Sequence, residues 1–422
     1  MGGIPTFVRP YALDMLSYTE SAWGSIVGIM LCFQALVAQS VAQPPTSRPA
    51  DFSPSFSSVD VEFDGGEQGG APVRLAGTLL LPAGASSGSV PGVLLVTGSG
   101  AQDRDETIAG RKPFKVLATA LASRGYAVLR YDDRGTKGLK IGQSTGTYSG
   151  STLADFAEDA AAARKFLADR PEVDDHKIAI CGHSTGGLEV SLLLGKNRIA
   201  GAAVLLAAPA VQGSELLAFQ TEEMLNATHR LGKSGMTDEQ IARVNAAQTA
   251  FFKAYGAGDP DGLQKAAEEA VRITLAIRAP GGADLTDEMM ALGVKQALAP
   301  LQEKWMDHFL RYDPVEDLRA SRVPVLAVFG GLDLQVAPSL NVGPVTAALT
   351  HAGNADSAVV VLPTGNHLFQ TASTGLPAEY GALDDEMGPA VSAVIGDWLD
   401  RVLTRAPSRS DSPGAVQDVV PK

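Results

Sequence analysis

The chain predicts an α/β protein: a mostly parallel sheet with helices on both faces and a helical cap inserted late in the sequence. Three observations carry that expectation. Short apolar runs alternate with helical stripes from Val93 to Ala208, the rhythm of a parallel sheet covered on both sides. The rhythm breaks at Val211, and residues 211–312 read as helix throughout. It then resumes with two more strand–helix pairs before the C-terminus.

Taken in order, Val59 to Phe63 and Arg74 to Leu81 alternate apolar and polar residues around Gly65-Gly66 and Gly69-Gly70, as an antiparallel hairpin does. Val93 to Val96 is a continuous apolar strand, Phe114 to Ala122 a helix closed by Gly125, and Tyr126 to Tyr131 the next strand. A capping box at Thr152 and Asp155 starts a helix whose stripe is Phe156, Ala160, Ala163 and Leu167. The strand Lys177 to Cys181, a helix after Gly187 and the apolar run Ile199 to Ala208 follow. In the helical stretch, Thr237 and Gln240 form a second capping box ahead of a stripe at Ile241, Val244, Phe251, Phe252 and Tyr255. These aromatics fit the core of a cap or an apolar wall over a site. The last elements are a strand at Val323 to Phe329, a helix at Val342 to Leu349, a strand at Ala358 to Leu362 and a helix at Ala390 to Val402. The organisation expected is a core at 59–210, a cap at 211–312, the rest of the core at 313–404 and a Pro/Ser-rich, disordered tail at 405–422.

Composition excludes several classes. With 422 residues, 45% hydrophobic and 19% charged, the chain is an ordinary globular protein with ample core. A net charge of −13 without any Lys/Arg run argues against nucleic acid as a partner. No His/Asp/Glu cluster has metal-ligand spacing, so no metal is expected.

Residues 1–42 differ from the rest. Ala22 to Ala38 is apolar and uncharged, and Ser40 and Ala42 stand at −3 and −1 of a small-residue cleavage site, as in a secretory signal. The long leader with Arg9, Asp14 and Glu20 departs from that pattern; the alternatives are a retained membrane anchor, a start at Met15, or another misplaced start. Leu31 before Cys32 argues against lipidation. The expected location is extracytoplasmic, with a Pro/Ser-rich linker at 43–58. Cleavage would leave Cys181 as the sole cysteine, a small buried hydrophobe on its strand, and no intrachain disulfide.

One local pattern carries chemistry. Gly182-His183-Ser184-Thr185-Gly186 lies between an apolar strand and an apolar helix, the context in which a sharp turn lifts a serine hydroxyl above a sheet. The pattern alone is weak, since roughly 0.3 matches arise by chance in so glycine-rich a chain. Two others exist, around Ser86 and Ser144, but neither has a strand leading in and a helix leading out. Replacing Ser144 by alanine is accordingly expected to leave both fold and activity intact.

A serine hydroxyl needs a base and a group to orient that base. In the architecture where a strand–turn–helix carries such a serine, these partners follow in the order Ser, Asp/Glu, His, each on a loop at the carboxyl end of a strand. Of six histidines, His367 sits just after the Ala358–Leu362 strand, and Asp333 follows the Val323–Phe329 strand. Asp356 is the competing acid, at the wrong end of its strand. The oxyanion of an acyl-transfer intermediate needs two N–H donors, each worth about 3 kcal/mol of barrier. Thr185 N–H is one candidate and Ser99 N–H the other, with Gly100 next. Gln102 to Glu106 reads as a local ion-pair cluster or a polar rim facing substrate, and Asp132-Asp133-Arg134 as another ion-pair cluster.

Thr97 to Glu106, Arg130 to Gly135, Gly182-His183-Ser184, Gly330 to Val336 and Asn366 to Gln370 together resemble the α/β-hydrolase superfamily, and within it the EstD-like bacterial carboxylesterases. The similarity runs from about Val59 to Leu403. Ala101 stands where that family usually has proline, and Thr185 where an acidic residue is common. The resemblance implies an α/β-hydrolase fold and hydrolysis of short- to medium-chain carboxylic esters, a small-molecule substrate, without a cofactor. An aminopeptidase-like hydrolase or a thioesterase would use the same three residues, because cap and pocket set specificity. A non-catalytic binding protein on the same scaffold is the remaining class, and the intact Ser, Asp and His argue against it.

Overall fold

The structure, a computed structural model, describes residues 56–278 and 286–403. The readings made for residues 1–42, for linker residues 43–55 and for the tail at 405–422 lie outside the described residues. Eight strands form one sheet: β1 (Phe56–Gln68), β2 (Ala71–Pro82), β3 (Val90–Val96), β4 (Ala127–Tyr131), β5 (Val173–His183), β6 (Ala202–Leu206), β7 (Val325–Gly330) and β8 (Ala358–Leu362), in the order β1-β2-β4-β3-β5-β6-β7-β8. The six strands from β4 to β8 are parallel, and the β1–β2 hairpin joins antiparallel at the β4 edge. Hairpin pairing begins at Phe56↔Pro82, so residues 56–58, read as linker, belong to β1. Ser57 and Ser58 hid this, since polar side chains cost nothing on an exposed strand.

Helices cover both faces, as expected for strands that are apolar on both sides. On one face, α1 (Pro113–Ser123) packs Phe114, Leu117 and Leu121 with Val391, Ile395 and Trp398 of the last helix. After the short α2 (Thr136–Leu139), the other face takes α3 (Leu153–Ala168) and α4 (Thr185–Gly195). The α3 capping box forms as its sequence dictates, Thr152 Oγ1 accepting from Asp155 N while the Asp155 carboxylate accepts from Thr152 N at 2.7 Å. Its stripe of Phe156, Ala160, Ala163 and Leu167 is buried.

Between β6 and β7 the chain runs through α5 (Gly213–Arg230), α6 (Asp238–Gly256), α7 (Pro260–Arg278), α8 (Asp287–Leu298) and α9 (Lys304–Arg311), with no strand among the described residues there. This cap has a small core of its own, including Leu225, Ile241, Val244 and Ile273, while Phe251, Phe252 and Tyr255 join the main core. The chain returns through α10 (Val315–Arg319), α11 (Pro338–Ala352) and α12 (Pro389–Leu403). Among the described residues no helix is long and apolar enough to cross a membrane.

The sheet order places any site. β3 is followed in sequence by β4 on one side, and β5 lies on its other side. The loops leaving β3 and β5 therefore diverge, and ligands of open α/β sheets bind in the crevice so formed at the strands' carboxyl ends.

Ser144 departs from its expectation. It is fully buried, its Oγ donates to Asp132 O at 2.6 Å and accepts from Ala76 N at 2.9 Å, and it thereby pins the end of β4 to β2. Ser86 is an exposed loop residue bonded to Ser89. Ser144→Ala therefore lowers unfolding free energy by about 1–3 kcal/mol, the cost of an orphaned buried N–H and carbonyl. Ser86→Ala leaves it unchanged; denaturant melts of the two variants against the parent check both outcomes.

Candidate active site

The turn after β5 forces Ser184 into an unusual backbone. Its φ is 53° and ψ −122°, a region that costs a non-glycine residue about 1–3 kcal/mol. The turn holds because its neighbours have no side chains. A Cβ on Gly182 would lie 2.3 Å from Gly186 O, and one on Gly186 would lie 2.3 Å from Thr97 O. Ser184 N donates to Leu206 O at 2.8 Å, which fastens the apex to β6. The serine stands at the N-terminus of α4, 8% exposed, on the wall of a cavity.

The candidate base and acid stand on the loops after β8 and β7. His367 Nδ1 is 2.8 Å from Asp333 Oδ2, and both side chains are buried. Asp333 Oδ1 meanwhile accepts from the backbone N–H of Gln335 and Val336, which fixes the carboxylate plane. With a carboxylate on Nδ1, that nitrogen carries the ring proton and Nε2 keeps its lone pair. The two loops can meet because Gly330 and Gly331 leave room: a Cβ on either would sit 2.5 Å from backbone oxygens of residues 363–366. Asn366 and Gln370, both fully buried, brace the histidine loop, Asn366 Oδ1 accepting from Leu368 N and Gln370 N. Ser184 and His367 line the same cavity, with Asp333 behind the histidine. Asp356, the competing acid, accepts at its backbone carbonyl from the Trp398 indole N–H and lies outside the cavity.

Of the oxyanion candidates, Ser99 lines the cavity and Thr185 is the first residue of α4. In the β3 loop, Gly98 N donates to Glu106 Oε1 at 2.7 Å and Gly100 N to the Tyr148 hydroxyl at 3.1 Å. Among the described residues, the Ser99 and Thr185 N–H groups have no acceptor within the protein. That distinction favours Ser99 over Gly100.

The polar cluster behind this loop is an ion-pair network. Asp133 accepts from Thr97 Oγ1 and Gln102 N, Arg104 holds Asp132, Arg130 pairs with Asp105, and Arg134 pairs with Asp159. Burial pushes the Asp133 carboxyl well above the usual range. Part of the stretch also faces the cavity, for Gln102, Asp103 and Glu106 line it. The rim and the ion-pair readings therefore both apply to residues 102–106.

His183 and Glu106 form a contact the sequence did not disclose. His183 Nδ1 is 2.7 Å from Glu106 Oε1, and its Nε2 is 2.9 Å from the carbonyl oxygen of His367. Glu106 is 1% exposed with a left-handed φ of 54°. One carboxylate oxygen thus ties the β3 loop at Gly98 to the residue before Ser184, and the far nitrogen of that residue reaches His367. Burial pulls the His183 pKa down, but the Glu106 charge and hydrogen bond and the His367 carbonyl more than reverse this, and it ends above the ordinary histidine value. A sequence signal existed only in retrospect: a glutamate eight residues after Gly98 and a histidine inside the serine motif.

The cavity measures about 370 Å³, within the range of small-molecule pockets, about 300–1,000 Å³. The cap contributes a largely apolar wall, with Leu217, Met224 and Leu225 of α5, Phe252 of α6, and Leu301 and Met306 in or near α9.

The His183–Glu106 contact predicts a pH signature. Because the imidazolium value is raised on folding, its contribution is complete below about pH 6.5 and is lost as pH climbs through the raised value. A double-mutant cycle of His183→Asn with Glu106→Gln should return a coupling free energy that is largest near about pH 6 and smaller near about pH 9. Coupling that grows with pH contradicts a charged pair.

A hydrolase family model described as serine aminopeptidase, S33, matches residues 112–271. Esterase EstD of Thermotoga maritima is 31% identical over 223 residues, covering 50% of this chain and 49% of that protein, so the chain spans about half the length of the relative it matches. Among solved structures, the Pyrococcus furiosus esterase Pf2001 is similar over 87% of this chain and 100% of its own, with 16% identity and a TM-score of 0.47. The α/β hydrolase GrgF from Penicillium sp. sh18 covers 83% of this chain and 100% of its own, with 18% identity and a TM-score of 0.46. Over part of its length the chain is thus similar to a serine aminopeptidase-type hydrolase family and to an esterase.

Proposed function

We propose that the protein is a serine hydrolase that cleaves carboxylic esters through an acyl-enzyme on Ser184. The observation that carries this reading is a strained serine sharing one cavity with a histidine whose far nitrogen is held by a buried carboxylate. In the proposed cycle, His367 Nε2 takes the Ser184 proton as Oγ attacks the ester carbonyl. Asp333 keeps the ring oriented and stabilises the imidazolium. The oxyanion forms against the free N–H groups of Ser99 and Thr185. Protonated His367 then gives its proton to the leaving alcohol, and a water activated by the same nitrogen releases the acid. Among the described residues no hydrogen bond joins Ser184 Oγ to His367, and such catalytic contacts commonly tighten only with substrate bound.

An apolar cap wall beside this machinery supports ester substrates with short- to medium-chain apolar parts. The match to the serine aminopeptidase model favours amide cleavage as a second reading on the same residues. The apolar segment at 22–38 and the small residues Ser40 and Ala42 support an extracytoplasmic site of action, or membrane attachment if the segment is retained.

With p-nitrophenyl esters from acetate to laurate, the full chain should turn over and Ser184→Ala should lose at least about a thousandfold in kcat while keeping its unfolding midpoint. Cleavage of aminoacyl p-nitroanilides with no ester turnover would replace the ester reading by the amide one. Residual Ser184→Ala activity near that of the parent would remove Ser184 as nucleophile. His183→Phe keeps Ser184, His367 and Asp333 yet frees Glu106 and the His367 carbonyl. We expect kcat to fall about ten- to a hundredfold with KM little changed, since a shift of about 1 Å in catalytic geometry costs that much.

A further inference from the structure

The buried stripe of α6 contains a residue that does not belong in an apolar stripe. Ile241, Val244, Phe251 and Tyr255 recur at helical spacing, and the position between Val244 and Phe251 on that face is Gln248. Gln248 is 1% exposed, and neither its Oε1 nor its Nε2 has a hydrogen-bond partner among the described residues. It lines the same cavity as Ser184. Leaving an amide unpaired at such a position carries a desolvation cost that leucine or methionine would not incur.

The surrounding wall narrows what could satisfy it. Thr221 and Thr228 of α5 also line the cavity, and their hydroxyls donate to the carbonyls of Leu217 and Met224 in their own helix at 2.8 Å. They keep only acceptor capacity toward the cavity. Gln220 offers a weak 3.8 Å contact to Met224 Sδ. Every cavity residue contributed by the cap is uncharged, and the ionisable ones, Asp103, Glu106, His183, His367 and Tyr380, all lie outside the cap. A cation or anion would find no partner at this wall. A neutral group that both donates and accepts would.

We propose that Gln248 is a specificity-determining residue, and that the substrate is an ester whose acyl or alcohol chain carries a hydroxyl or secondary amide, read by Gln248 under the cap. This rests on the ester-hydrolase reading and deepens it: the scissile carbonyl sits at Ser184, apolar chain lies along the cap wall, and the polar group pairs with the Gln248 amide. Sites built to hydrogen-bond a substrate group reject analogues lacking it, because the buried protein group is then left unpaired.

Matched esters test it: alkanoyl against ω-hydroxyacyl and amide-interrupted acyl p-nitrophenyl esters, and alkyl butanoates against their ω-hydroxyalkyl and amide-bearing counterparts. The expected result is a preference of at least about tenfold in kcat/KM for one polar member over its plain match, falling to near parity in Gln248→Met, which keeps the volume and removes the amide. Gln248→Met should also melt higher than the parent, whereas a purely structural glutamine would make it melt lower. Binding of the same pairs to Ser184→Ala by calorimetry gives a readout free of turnover, with about tenfold tighter binding of the polar member, lost in Ser184→Ala/Gln248→Met. Ser184-dependent cleavage without polar preference, or a preference that survives Gln248→Met, overturns this inference and leaves the ester reading standing. Absence of cleavage with Ser184 inert to a fluorophosphonate overturns the ester reading instead, and the calorimetric pairs still decide Gln248.

Discussion

Backbone packing at the end of β5 governs the arrangement of the site. The chain must leave the sheet and enter α4 within one residue, and it does so by placing Ser184 at a positive φ while Gly186 presses against Thr97 O. That contact fixes the distance between the β5 turn and the β3 loop. Ser184 and the Ser99 N–H are therefore positioned by the same close approach. A side chain at Gly182 or Gly186 would push the helix away from the sheet and separate them. The strain at Ser184 is small beside the apolar core on both sheet faces that opposes it.

Polar contacts then carry that geometry outward. Glu106 takes the Gly98 N–H and the His183 ring, His183 takes the His367 carbonyl, and His367 takes Asp333. Four loops, from β3, β5, β7 and β8, are tied in this way at the carboxyl edge of the sheet. Beneath them, Asp133 holds the β3 loop through Thr97 and Gln102, and Arg104 holds Asp132. A buried ion pair such as Arg104–Asp132 contributes little net stability once desolvation is counted. The value of these contacts is positional: each loop end has a partner with one acceptable geometry.

The order of strands and helices was legible because it rests on local apolar runs and capping boxes that no long-range contact had to override. Ser184, His367 and Asp333 were legible because the sheet's chain order dictates which loops can meet. Glu106, His183 and Ser144 were not, for a common reason. Each is a polar side chain whose role is set by a partner 12 to 184 residues away, and sequence spacing carries no trace of such pairs. Gln248 escaped notice in a different way: read as a stripe, the helix suggested only apolar packing, and the glutamine within it gained meaning once the cavity was seen. Ser57 and Ser58 show the same limit at the sheet edge, where exposed strand tolerates residues that read as linker.

We propose Ser184 as the reacting residue, set apart from the other serines among the described residues by the strained turn that carries it. Treating the full chain with a fluorophosphonate and mapping the adduct by peptide mass spectrometry tests this most directly. The account predicts a single stoichiometric label on the peptide containing Ser184, with labelling slowed severalfold or more in His367→Ala. A label on Ser86, Ser144 or any other serine, or labelling of Ser184 that ignores the loss of His367, would contradict it.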